Sequence, residues 1–146
     1  MSNMANANAY KIRTGRFAGQ MGVDVDSNKT LTIADSGIVQ NVIADGVIVS
    51  VPATATQGKW PIVVGGVRQT GGPVGAVTGN AKQLVQISPV AADQIQGGPD
   101  GTAVDNKDLI LAKANSKVGD FVVIQNTGET NGPLVDSWKG SWTREP

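Results

Sequence analysis

Neither cysteine nor histidine occurs anywhere in this chain. The first absence excludes disulfides, thiolate nucleophiles and thiolate-bound metals, and it leaves the redox compartment unreadable. The second removes the commonest general base, the serine–histidine pairing and most zinc sites. Aromatic residues make up only 4% of the 146 positions, so a core has to be assembled from Val, Ile, Leu and Ala. An excess of one charge is missing too, since 12 Lys and Arg balance 12 Asp and Glu. Phosphate neutralisation supplies much of the affinity of nucleic-acid binders, so no nucleic-acid partner is expected. No apolar run approaches the ~20 residues of a bilayer-spanning helix, and "MSNMANANAY" lacks the apolar stretch of a secretion signal. A membrane partner is therefore not expected either.

What the chain has in quantity is glycine, 19 of 146 residues against a typical ~7%, which implies many turns and long loops. Met1 to Ala9 are small and polar without periodicity. Tyr10, Ile12 and Thr14 then alternate with Lys11 and Arg13, the pattern of a half-buried strand. The stretch "LTIADSGIVQNVIADGVIVSVPA", Leu31 to Ala53, places two apolar runs on either side of Asp45-Gly46. That dipeptide suits a tight type I′ turn, so the expectation is a β-hairpin pairing Val42 with Val49, with Val42, Val47, Val49 and Val51 on one face. Pro52 ends the second strand. "KWPIVVGGV" reads as a strand from Trp60 to Val64. A glycine-rich loop from Gly65 to Gly79 and the short strand "KQLVQISP" follow it. "VAADQIQG" reads as one helical turn closed by Gly97. Further strands are expected at Leu109 to Ala112 and Phe121 to Gln125, with a last pair of short strands around Lys139-Gly140. Sustained 3.6-residue periodicity, heptads and internal repeats are all absent. The expected fold is all-β: a compact β-sandwich or barrel-like domain over residues 18–146, with Gly-rich loops and an extended N-terminal arm over residues 1–17.

Candidate chemistry is sparse. Asp24, Asp26 and Asn28 open with EF-hand spacing, but the sixth and twelfth positions hold Lys29 and Asp35 instead of Gly and Glu, so no metal is expected. The glycine-rich loop contains no phosphate-binding motif, and no cofactor or small-molecule substrate is expected. Glu129 and Glu145, the only glutamates, lie in a polar loop and beside the C-terminus. A carboxylate pair for hydrolysis is thus not indicated, and the chain is not expected to be an enzyme. Trp60, Trp138 and Trp142 read first as core fillers for a small-residue sheet, with inter-subunit contact or ligand stacking as the alternatives.

The order of the pieces is more informative than any one motif. T-L-T-x-x-D-S-G at Thr30 to Gly37, Val51-Pro52 at a strand end, A-A-D-x-I-x-G at Ala91 to Gly97, Gly119-Asp120 before a strand and G-x-W at Gly140 to Trp142 occur in series. Together they resemble a β-rich module of tailed-bacteriophage virions, best represented among capsid decoration (cement) proteins. The likeness runs from about Lys29 to Glu145. It departs from the family pattern at Leu134, where a tryptophan is usual. The resemblance implies a structural virion protein on the outer capsid surface, made in the host cytoplasm. It also implies a homotrimer and the major capsid protein as partner. Within that expectation, the arm's Tyr10, Lys11, Ile12, Arg13, Arg16 and Phe17 are candidates for capsid contact, and Val42, Val47, Val49, Val51 and Trp60 for packing between subunits. The alternative is a phage tail or fibre module that touches host glycans through Trp60 or the glycine-rich loop.

Overall fold

A computed structural model describes residues 22–67, 82–99 and 103–146. The described residues form two five-stranded sheets packed face to face, with no α-helix among them. The first sheet contains β1 (Gly22–Val25), β3 (Val39–Val42), β5 (Gly58–Val64), β8 (Phe121–Asn126) and β9 (Leu134–Lys139), in that spatial order. The second runs β10 (Trp142–Arg144), β7 (Leu109–Leu111), β6 (Val85–Ser88), β4 (Val47–Ser50) and β2 (Lys29–Thr30). The all-β sandwich expected from the turn-rich sequence is therefore the fold.

The route of the chain differs from the hairpin expected at Asp45-Gly46. Successive strands alternate between the sheets, so β1 and β2 form one layer of a coil, β3 and β4 the next, and β5 and β6 the third. Like strands of successive layers pair in parallel. Beyond the third layer the chain reverses, and β7, β8, β9 and β10 add antiparallel neighbours. The expected hairpin at Asp45-Gly46 is consequently an arch between sheets. Val42 and Val49 lie in opposite sheets and meet across the core instead of side by side. The reason is where the corner's polar groups bond. Gly46 N–H donates to the Leu84 carbonyl at 3.0 Å, Asp45 Oδ1 accepts the Leu84 amide at 2.9 Å, and Ile43 N–H donates to the Val25 carbonyl at 2.9 Å. This arch thus bonds to the layers before and after it. Gly46 adopts a φ of 79°, which glycine reaches without the steric cost other residues meet.

Two further expectations change in the same way. The strands around Lys139-Gly140 exist as β9 and β10, but they belong to different sheets. The segment from Val90 to Gly97 is a turn closed by Asp93 N–H on the Val90 carbonyl at 2.9 Å, followed by extended chain that buries Ile95, and not a helical turn. The Tyr10–Thr14 strand and most of the Gly65–Gly79 loop lie outside the described residues.

Strand alternation fills the space between the sheets. Val25, Val42, Ile62, Val64, Val122 and Ile124 come from one sheet, and Val47, Val49, Val85, Ile87, Leu109 and Leu111 from the other, all of them buried. Trp60 is 0% exposed and donates its Nε1–H to the Thr32 carbonyl at 3.0 Å. Its ring lies over Gly58, where a Cβ would sit 2.7 Å from the indole. Asn126 Nδ2 donates to the carbonyls of Pro52 and Thr56 at 2.9 and 3.1 Å, which fixes the link between β4 and β5.

Asp45 also makes the fold's acid response testable. The Leu84 amide, then the Lys113 ammonium, hold its carboxyl below the ordinary value of 3.8. A depressed folded-state value contributes stability above 3.8 that is lost as the pH falls through the folded value. Asp45→Asn is expected to lower the melting temperature at pH 7 by a few degrees, because an ion pair this exposed is worth at most about 1 kcal/mol. The gap should close toward pH 2. Melting curves of both proteins from pH 2 to 7 check this, and a gap independent of pH would contradict it.

Candidate interaction surface

The five residues expected to pack between subunits do not reach a surface. Val42, Val47, Val49, Val51 and Trp60 are between 0% and 2% exposed within one chain. They face the opposite sheet, so the apolar run that suggested an interface is core. Trp60 is for the same reason closed to ligand stacking, and Trp142 is buried with its Nε1–H on the Lys139 carbonyl at 3.1 Å. Trp138, at 44% exposure, is the accessible indole and lies on the edge strand β9. The arm residues Tyr10, Lys11, Ile12, Arg13, Arg16 and Phe17 lie outside the described residues.

The outward faces of the two sheets differ in chemistry. On the second sheet, register aligns Thr30, Ser50 and Ser88 in one row, and Ile48, Gln86, Ile110 and Thr143 in the next. That face is mainly hydroxyl and amide, with two isoleucines. On the first sheet, Val63 of β5 stands directly opposite Phe121 of β8, and Pro61 opposite Val123. Val39 on β3 and Leu134 on β9 extend the apolar area, and all six are half-buried. Polar residues surround it. Asn41 donates to Asp24 Oδ1 at 3.0 Å on one side, Lys139 pairs in register with Phe121 on the other, and Lys59 bridges to Asp136 at 3.2 Å. An apolar centre within a polar rim is the composition of a docking surface. Among the described residues, no element covers it.

These outward residues escaped the sequence reading, although a signal was present. "WPIVV" and "FVVIQ" are apolar at both parities, which is the pattern of a strand with two buried faces. Reading only the inward parity of each assigns the core and overlooks the second face.

Partial burial pushes the Asp35 carboxyl up, but the Thr32 amide and the Lys29 ammonium outweigh it and hold the group below its ordinary value. Lys29 in turn bonds Asp35 at 3.1 Å and the buried Gln40 Oε1 at 2.7 Å. These are paired, structural charges at the end of the core. Asp24, which opens the EF-hand-like spacing, accepts from Asn41, while Asn28 Oδ1 accepts the Ile48 amide at 2.9 Å. Among the described residues, no group of three or more acidic side chains converges to hold a metal. No protein-family description, curated protein or solved structure matches the chain.

Proposed function

We propose that this chain is a structural virion protein that decorates and stabilises the exterior of a bacteriophage icosahedral capsid. It would clamp neighbouring major capsid subunits, as a homotrimer. The motif series from Thr30 to Trp142 supports the family assignment. The observation that carries the physical part is the rimmed apolar face built from Val39, Pro61, Val63, Phe121 and Val123. A surface of this kind is suited to lasting contact with protein. In this reading the face packs against sister subunits, and Lys11, Arg13 and Arg16 pair with acidic groups of the shell. A protein that binds an assembled lattice and not its separated parts stabilises the lattice by mass action. That work opposes the pressure of packaged DNA and requires no catalytic group.

The test is copy number per virion, measured by calibrated mass spectrometry against the major capsid protein. A count in the hundreds is expected. A few dozen copies or fewer would instead place the protein in the tail or a fibre, and absence from purified virions would overturn the reading. Deletion of residues 1–16 is expected to leave a folded protein that no longer adheres to shells, and retained adhesion would remove the arm from the contact.

A further inference from the structure

Register lines up five outward side chains across the first sheet. Asp24 of β1 stands beside Asn41 of β3, Asn41 beside Val63 of β5, Val63 beside Phe121 of β8, and Phe121 beside Lys139 of β9. The row thus runs from a carboxylate through an apolar middle to an ammonium, over four strand spacings or roughly 19 Å. Its two charged ends are exposed and its middle is half-buried. β5 is the central strand, so Val63 marks the midpoint. Two residues along the strands, Val39, Pro61 and Val123 keep the middle apolar.

Such a row is complementary to its own copy in reverse. About a two-fold axis that follows β5, two of these faces meet with Asp24 against the partner's Lys139, Asn41 against the partner's Phe121, and Val63 against itself. An axis across the strands sets Asp24 against Asp24 and Lys139 against Lys139 instead, and like charges in contact are unfavourable. Two-fold contacts use the same patch on both subunits, so one self-complementary face closes them. Face-to-face packing of aligned sheets about 10 Å apart is an ordinary way to bury two apolar sheet faces. Lys59 lies on the same central strand near the axis, and Asp136 at 3.2 Å already neutralises it. Asp24 accepts from Asn41 through Oδ1, and a carboxylate has room for further donors.

From this register we propose that the free protein pairs with a second copy of itself through the outer face of the first sheet, with Asp24 of each subunit against the partner's Lys139. The occupant is a second copy because the charge at each end of the row finds its opposite at the other end of the same row. Pairing does not depend on capsid binding. It covers the face that the shell-bound trimer proposed above would use, so paired subunits separate before three of them assemble on a shell.

Sedimentation equilibrium of the full chain should show a dimer in the micromolar range. Lys139→Asp and Asp24→Lys should each weaken it by about tenfold or more, because each places two like-charge contacts in one interface. The swap Asp24→Lys/Lys139→Asp should restore it. A monomer, a trimer, or a swap that keeps the wild-type melting temperature without restoring the dimer would overturn the proposal. Val63→Cys gives an independent readout in a chain without cysteine. A thiol cross-linker with a reach of about 10 Å, the spacing of packed sheets, should join two copies through Val63→Cys. Ile48→Cys, on the outer face of the other sheet, should join them at least about tenfold more slowly. Equal rates would contradict the pairing, and a monomer whose Val63→Cys thiol resists labelling would give the face to another segment of the same chain and overturn it too. Co-sedimentation with shells reads the capsid assignment separately. A dimer that ignores shells keeps the pairing and removes that reading, whereas a monomer that binds shells does the reverse.

Discussion

Trp60→Ala is expected to cost about 3–5 kcal/mol of folding stability, enough to unfold much of a population whose total stability is on the order of 5–15 kcal/mol. The indole is fully enclosed between the sheets, and the surrounding core is built from Val, Ile and Leu that cannot extend to fill the space. Gly58 leaves its own side-chain position to the ring, so removing the ring empties two positions at once. The Thr32 carbonyl also loses one of its two donors, the indole N–H at 3.0 Å, and keeps the Asp35 amide. Trp60→Phe separates the two contributions. It restores most of the volume without the N–H, and the Thr32 carbonyl keeps its bond from the Asp35 amide at 3.0 Å, so the loss should fall to about 0.5–1.5 kcal/mol, the net worth of one hydrogen bond. Denaturant titration with an unchanged m-value reads both numbers. Equal losses for Ala and Phe would mean that the hydrogen bond, and not the volume, is what the core requires.

The same residue shows what was legible in the sequence. Strand positions could be read from short apolar runs bounded by turn residues, as at Trp60–Val64, Leu109–Ala112 and Phe121–Gln125. Strand partners could not. A hairpin and an arch bury the same side chains, Val42, Val47 and Val49, and differ only in whether those residues sit beside or across from one another. The difference is decided by the bonds of Asp45 and Gly46 to Leu84, some forty residues further along the chain, and local pattern carries no trace of them. The assignment of Val42, Val47, Val49, Val51 and Trp60 to subunit packing failed for that reason. A run apolar at both parities was taken for a surface pattern, when the arch had placed one parity inside and left Ile43 and Ile48 half-buried outside.

The outer face of the first sheet carries the second large effect. If the chain decorates capsids as proposed, Val63→Glu/Phe121→Glu is expected to weaken association with shells by a hundredfold or more. Each apolar side chain withdrawn from a buried contact costs about 1.5–3 kcal/mol, and every 1.4 kcal/mol is tenfold in affinity. The fold itself should tolerate the pair, because both side chains already reach solvent and like charges opposite each other cost only about 0.2–1 kcal/mol. Ile48→Glu/Ile110→Glu places two carboxylates on the hydroxyl-rich face of the other sheet and is the matched control. Co-sedimentation with shells lacking the protein, alongside sizing of the free protein, separates the possible outcomes. Loss of both trimer and shell binding for the first variant alone assigns the face to sister subunits, with adhesion depending on valency. Loss of shell binding with the trimer intact assigns it to the capsid protein. Equal binding by both variants would leave the outer faces without a role and place all adhesion in the N-terminal arm.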